Sequence, residues 1–292
     1  MKRILTFALA LSFAWSASAQ KTITLAGTDE TVRLWDNTTA KYSNHQTKDE
    51  QWRKGRKNCM IYTSSCELYI YKPAPEKNTG IAVAIYPGGS FTSLHLGIST
   101  AKWYASQGIT AAIVKYRLPN GYKEAMLEDA MGAVRYLRTR TDLGIDPNKV
   151  GVTGSSAGGC LTAWVSNAMP DDEKPAFAIP LYGSMSRVEF YTGAKANIAL
   201  LGDNFTYQDA VDMSIQNMVN AKTPPTLLLL CDDDRVVLPK SSVLYYEALV
   251  RHGVKCSMHI YPEGGHSLKK AYKEHHEAIL DWFDWLGLLK KE

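Results

Sequence analysis

The chain has 292 residues, 45% of them hydrophobic and 21% charged, which is enough apolar material for a real core and far from a disordered, collagen-like or coiled-coil composition. Thirty-three Lys and Arg stand against 29 Asp and Glu, a formal charge of +4. That surplus is too small for the basic footprint of a nucleic-acid binder, so nucleic acid is not an expected partner.

Lys2 and Arg3 form a positive start, residues 4–15 an apolar stretch, and Ala17-Ser18-Ala19 a small-residue cleavage site. The apolar stretch is well short of the roughly 20 residues that span a bilayer. Residues 1–19 therefore read as a signal peptide, with residues 20–292 as one mature domain, periplasmic or secreted and free of the membrane after cleavage. Residues 21–32 and 59–71 predict antiparallel edge strands, with a polar loop over 38–57 between them. Apolar runs at 81–86, 109–116, 149–153, 178–182, 225–231 and 256–261 predict strands, and helical stripes or stop signals predict helices over 99–107, 123–140, 156–167, 241–252 and 269–289. Continuous apolar strands alternating with helices imply an α/β fold, a mostly parallel central sheet with helices on both faces. Residues 187–220 contain no clean strand and suit a small lid or a pocket wall. Of the five Cys, 59, 66, 160, 231 and 256, none has zinc-site spacing, so neither metal nor cofactor is expected. Cys59 and Cys66 flank a short turn, which leaves both a local bridge and two free thiols open.

Gly154-Ser155-Ser156-Ala157-Gly158 lies between a predicted strand and a predicted helix, the context that gives a G-x-S-x-G pattern its meaning. A sharp strand-to-helix turn crowds the backbone, so small residues are needed two before and two after the nucleophile, Ser156. A serine hydroxyl requires a base, and His266, in Gly264-Gly265-His266-Ser267 before the last helix, is placed to serve. The orienting acid belongs just after the strand 225–231, where Asp232, Asp233 and Asp234 stand in a row; a D-x-x-V spacing selects Asp233. The order Ser156, Asp233, His266 is the one expected of the α/β-hydrolase arrangement. Pro87-Gly88-Gly89-Ser90 comes after an early strand and supplies an oxyanion donor from the N–H of Gly89 or Ser90, with Ala157 as the second donor.

Together with Lys115-Tyr116-Arg117-Leu118-Pro119, Leu127-Glu128-Asp129-Ala130 and 144–150, these motifs make the chain, from about residue 58 to 287, resemble the secreted α/β-hydrolase esterases of the acetylxylan and feruloyl esterase type. Three departures stand out: Ser90 replaces the usual third Gly, Cys160 a common His behind the elbow, and Leu230-Cys231 the His-Gly of prolyl-peptidase relatives. The resemblance implies a secreted serine carboxylesterase that removes acetyl or feruloyl groups from a plant polysaccharide such as xylan, its partner being the acylated polysaccharide or oligosaccharide. The competing readings are a prolyl-oligopeptidase-type serine peptidase and a non-catalytic carbohydrate-binding module on a hydrolase scaffold.

Overall fold

The computed structural model describes residues 25–188 and 195–289. The expected signal peptide and its cleavage point, residues 1–19, lie outside the described residues, as does the start of the first expected strand. The chain runs through β1 (Glu30–Asp36), β2 (Gln51–Trp52), β3 (Cys59–Ile61), β4 (Ser65–Tyr71), β5 (Ala82–Tyr86) and β6 (Leu94–His95) before its first helix. It continues through α1 (Ile98–Ser106), β7 (Thr110–Lys115), α2 (Lys123–Thr139), β8 (Val150–Ser155), α3 (Ala157–Ala168) and β9 (Ala178–Leu181). Two short helices, α4 (Lys195–Leu201) and α5 (Tyr207–Asp212), precede β10 (Thr226–Cys231), α6 (Lys240–Arg251), β11 (Cys256–Tyr261) and α7 (Tyr272–Trp285).

Eight strands form one sheet in the order β1-β4-β7-β5-β8-β9-β10-β11. The six from β7 to β11 are parallel, and β1 and β4 add an antiparallel edge. Strands β5, β7 and β10 are buried throughout, as their predominantly apolar sequences favour. The connection from β5 through α1 steps one way along the sheet, and those from β7 onward step the other way. Right-handed crossovers therefore put α1 on one face and α2, α3 and α6 on the opposite one. The last helix joins α1, the ring of His276 stacking on Trp103 at 3.9 Å. This is the α/β-hydrolase fold. The reversal of direction opens a crevice at the carboxyl ends of β5 and β8, where the chain leaves the two strands in opposite directions.

The expected strand over 59–71 is two strands, because Tyr62 turns in the left-handed region at φ 60°. β3 goes to a small sheet with β2 and β6, whereas β4 enters the main sheet. Cys59 and Cys66 are thereby separated and both are free: Cys59 Sγ faces His95 Nε2 at 3.6 Å and Cys66 Sγ the carbonyl of Asp129 at 4.0 Å. The charged motifs near β7 are structural. Arg117 is fully buried against Asp129 at 2.7 Å and Glu128 at 2.9 Å, and Lys115 against Glu50 at 2.5 Å and Glu67 at 3.2 Å, so each buried cation has two carboxylates. No helix among the described residues is long and apolar enough to cross a membrane.

Candidate active site

β8 ends at Ser155 and α3 begins at Ala157, so Ser156 alone makes the corner, with φ 57° and ψ −120°. A non-glycine residue there is strained, and the neighbours make room for it. A Cβ on Gly154 would sit 2.4 Å from the Gly158 carbonyl oxygen, and one on Gly158 only 1.9 Å from the Tyr86 oxygen. The two glycines of the pattern are thus the points where β5, β8 and α3 touch backbone to backbone. Ser156 donates its N–H to the Leu181 carbonyl (3.0 Å) and accepts from Cys160 N through its own carbonyl (3.0 Å).

Two turns place His266. Gly265 has φ 61°, and Gly264, at φ 150°, passes so close to Cys231 that a Cβ would lie 2.7 Å from its sulfur. The Cys231 thiol donates to the Ser267 carbonyl at 3.0 Å, tying the loop to the end of β10. His266 Nε2 lies 2.7 Å from Ser156 Oγ, and Nδ1 2.7 Å from a carboxylate oxygen of Asp234. With Nδ1–H donating to the carboxylate, Nε2 is the acceptor for the serine hydroxyl. The ring of Tyr182 packs edge-on against the imidazole at 4.9 Å.

The carboxylate that meets His266 is Asp234, and the expectation of Asp233 at that place is corrected. Asp234 is buried, with Oδ2 on His266 and Oδ1 accepting the N–H groups of Val236 (2.8 Å) and Val237 (3.0 Å). Asp233 turns away from the imidazole, and its Oδ1 accepts the N–H of Gly265 at 2.7 Å, a bond that holds its carboxyl below the usual carboxylate range. The D-x-x-V spacing fits two registers, Asp233 with Val236 and Asp234 with Val237. Burial separates them, since Val237 is 9% exposed and Val236 is 63% exposed. The chain also turns directly after β10, Asp234 N pointing back to the Cys231 carbonyl at 3.4 Å, so strand alternation does not carry through the three acids. Asp232 is exposed. Burial pushes the Cys231 thiol up, the charges of Asp233 and Asp234 adding to it, and burial likewise raises the Tyr182 phenol.

The loop after β5 lies against the elbow: a Cβ on Gly88 would meet the Ser155 carbonyl oxygen at 2.5 Å and Ser156 Cβ at 3.1 Å. Gly89, at φ 143°, has room for no side chain, and its carbonyl accepts the N–H groups of Thr92 and Ser93 (3.0 and 3.1 Å). Ser90 and Phe91 come next at φ 54° and 59°. The Tyr116 hydroxyl fastens the loop by donating to the Pro87 carbonyl at 2.7 Å. Ala157 is the first residue of α3, so its N–H lacks an intrahelical acceptor and stands at the positive end of the helix. Gly88 thus packs against Ser156, with Gly89 and Ser90 next on the same loop and Ala157 directly after Ser156.

A cleft of about 230 Å³ opens beside Phe91 and is lined also by Gln46, Tyr62, Asn120, Ile198 and Asp203. Ile198 lies on α4 and Asp203 just past its end, so this part of the 187–220 segment is a pocket wall. A second cleft of about 260 Å³ lies behind Ser155 and Tyr182, against His275 and His276. No group of three His, Cys, Asp or Glu among the described residues is arranged to hold a metal ion.

Residues 99–288 match the model of the prolyl oligopeptidase family. The chain belongs to that family. It is 33% identical over 223 residues to an acetylxylan esterase of Xylanibacter ruminicola, an alignment covering 73% of this chain and 46% of that protein. It is 26% identical to endo-1,4-beta-xylanase B of Butyrivibrio fibrisolvens, over 65% of this chain and 33% of that one. The chain thus spans half or less of the length of these curated relatives. Among solved structures, an acetyl ester-xyloside bifunctional hydrolase from Caldicellulosiruptor lactoaceticus superposes with a TM-score of 0.74 at 28% identity, covering 89% of this chain and 97% of that one. The resemblance to acetylxylan esterases read from the motifs is therefore met by direct likeness.

Proposed function

We propose that this member of the family is a serine carboxylesterase that removes acyl groups, acetyl foremost, from a plant polysaccharide such as xylan. The observation that carries the reading is the line Ser156 Oγ, His266, Asp234, with 2.7 Å at each of its two hydrogen bonds. Ser156 attacks the ester carbonyl while His266 Nε2 takes its proton, and Asp234 holds the ring and stabilises the imidazolium. The oxyanion forms among the N–H groups of Gly89, Ser90 and Ala157. His266 then passes the proton to the departing sugar hydroxyl, and water, deprotonated by the same imidazole, hydrolyses the acyl-enzyme. The substrate class is supported by likeness to an acetylxylan esterase and to an acetyl ester-xyloside hydrolase.

The test compares hydrolysis of acetylated xylan, methyl ferulate and p-nitrophenyl acetate, with fluorophosphonate labelling alongside. Acetate release from xylan and a label on Ser156 are expected. Turnover of methyl ferulate alone would move the acyl specificity to feruloyl esters, and absence of both label and turnover would leave the binding-module reading. Ser156→Ala should lower kcat by about 10⁶ with an unchanged melting temperature, since the hydroxyl contributes chemistry and little packing.

A further inference from the structure

Arg187, six residues past the end of β9, is 1% exposed. Its guanidinium donates to Ser184 Oγ (2.6 Å) and the Ser184 carbonyl, to Cys160 Sγ (3.0 Å) and to Asn197 Oδ1 (3.2 Å), and lies over the Phe91 ring at 5.3 Å. Every one of these partners is neutral. Its Nε is buried with no acceptor, and no carboxylate among the described residues pairs with it. Arg117 and Lys115, the other fully buried cations of this sheet, each hold two carboxylates. A buried charge without a counter-charge is costly to a fold, and replacing it by an apolar side chain of similar volume is commonly neutral or stabilising.

The partners of Arg187 are those of the site. Cys160 is one helical turn beyond Ser156, and Phe91 is next to Ser90 on the loop with the oxyanion donors. Ser184 belongs to the loop that carries Tyr182 against His266, and Asn197 lies on α4 beside the cleft. We infer that Arg187 is a positioning residue: it clamps the Ser90–Phe91 loop to the elbow helix, and its positive charge, paired with no carboxylate among the described residues, is complemented when the tetrahedral intermediate carries a negative one. This rests on the hydrolase reading above. The two left-handed residues Ser90 and Phe91 need such a support to persist. Because the interaction strengthens as charge develops, it belongs to kcat more than to substrate binding.

The experiment measures kcat, KM and melting temperature of wild type, Arg187→Met and Arg187→Lys on p-nitrophenyl acetate, with inhibition by phenylboronic acid, which forms an anionic tetrahedral adduct on Ser156 Oγ. Arg187→Met should lower kcat by about 10–10², below the 10²–10³ typical for losing a donor in direct contact with the oxyanion. KM should stay within about twofold, boronate affinity should fall in step with kcat, and the melting temperature should hold or rise. Arg187→Lys keeps the charge while losing the planar fork and the ring contact, and should recover most of the lost kcat. Wild-type kcat in Arg187→Met overturns the inference. So does a kcat loss that comes with a lower melting temperature and is not recovered by Lys, or failure to fold of both Arg187→Met and Arg187→Gln, since each marks a role in structure alone. A wild type that neither turns over ester nor takes fluorophosphonate overturns the hydrolase reading and this inference with it; an active wild type with an indifferent Arg187 overturns the inference only.

Discussion

Asp233 and Asp234 are adjacent carboxylates with different work, and the difference lies in which donors face them. Asp234 receives three, two backbone N–H groups and the imidazole, and is shut away from water. Asp234→Asn would place an amide where the Nδ1–H needs an anion, favouring the wrong tautomer and leaving the imidazolium without its counter-charge. The expected loss in kcat is about 10⁴, the order seen when a serine-protease triad loses the same charge. Asp233→Asn keeps an oxygen for the Gly265 N–H, so kcat should stay within roughly threefold, the scale of a weakened exposed hydrogen bond. Steady-state kinetics of the two variants decide the assignment, and a larger loss at Asp233 would reverse it.

At the level of elements, the elbow exists because β5, β8 and α3 approach backbone to backbone. Gly158→Ala would drive a methyl group to 1.9 Å from the Tyr86 carbonyl oxygen, a clash that no side-chain rotation relieves. Its cost should exceed about 4 kcal/mol, in the range reserved for broken cores, and appear as a lowered urea midpoint or loss of soluble protein. The antiparallel edge depends on charge instead. Glu50 accepts Ser64 N (2.6 Å), Ser65 N (2.7 Å) and Lys115 Nζ (2.5 Å). Burial works to raise its pKa, but the Lys115 charge and these bonds outweigh it and hold the carboxyl below its ordinary value. A carboxyl depressed in the folded state stabilises above its unfolded pKa, about 4.3, and loses that contribution as pH falls through the folded value. Glu50→Gln should therefore cost about 2 kcal/mol at pH 7, less than the loss of a fully buried pair because Glu67 still faces Lys115, and the cost should shrink below about pH 4. Urea midpoints of the two proteins at pH 7 and pH 3.5 measure this.

Across the whole molecule, the parallel run of β5, β8 and β11 brings the β5 loop, the β8 corner and the loop after β11 to one end of the sheet, so residues far apart in sequence meet at Ser156. A cleft walled in part by α4 opens beside Phe91, on the loop after β5. Export is part of the proposed role, since a polysaccharide too large to enter a cell must be met outside it. The intact mass of protein recovered from the periplasm or medium of an expressing bacterium should correspond to a chain beginning at Gln20. Recovery only of unprocessed protein in the cytosol would refute the reading of residues 1–19 as a signal peptide.

Sequence by itself determined what short-range chemistry writes plainly. The short apolar runs of β5, β7 and β10, bounded by turn signals, read as buried strands, and the glycines around Ser156 and before His266 mark backbone that must turn or touch. The Ser156–His266 pair and the fold class were legible for that reason. Tertiary structure decided the rest. Three consecutive acids offer two equivalent registers, and only the turn after β10, with Val237 buried and Val236 exposed, turns Asp234 towards His266. Nothing local separates Cys59 from Cys66; their assignment to different sheets does. No sequence motif marks Arg187, and it is the packing of Phe91, Cys160, Ser184 and Asn197 around its guanidinium that leaves it buried among neutral partners of the described residues, beside the loop after β5. Local patterns report periodicity and backbone freedom, whereas the direction of a side chain after a turn, and the charge around it, depend on what the rest of the chain brings there.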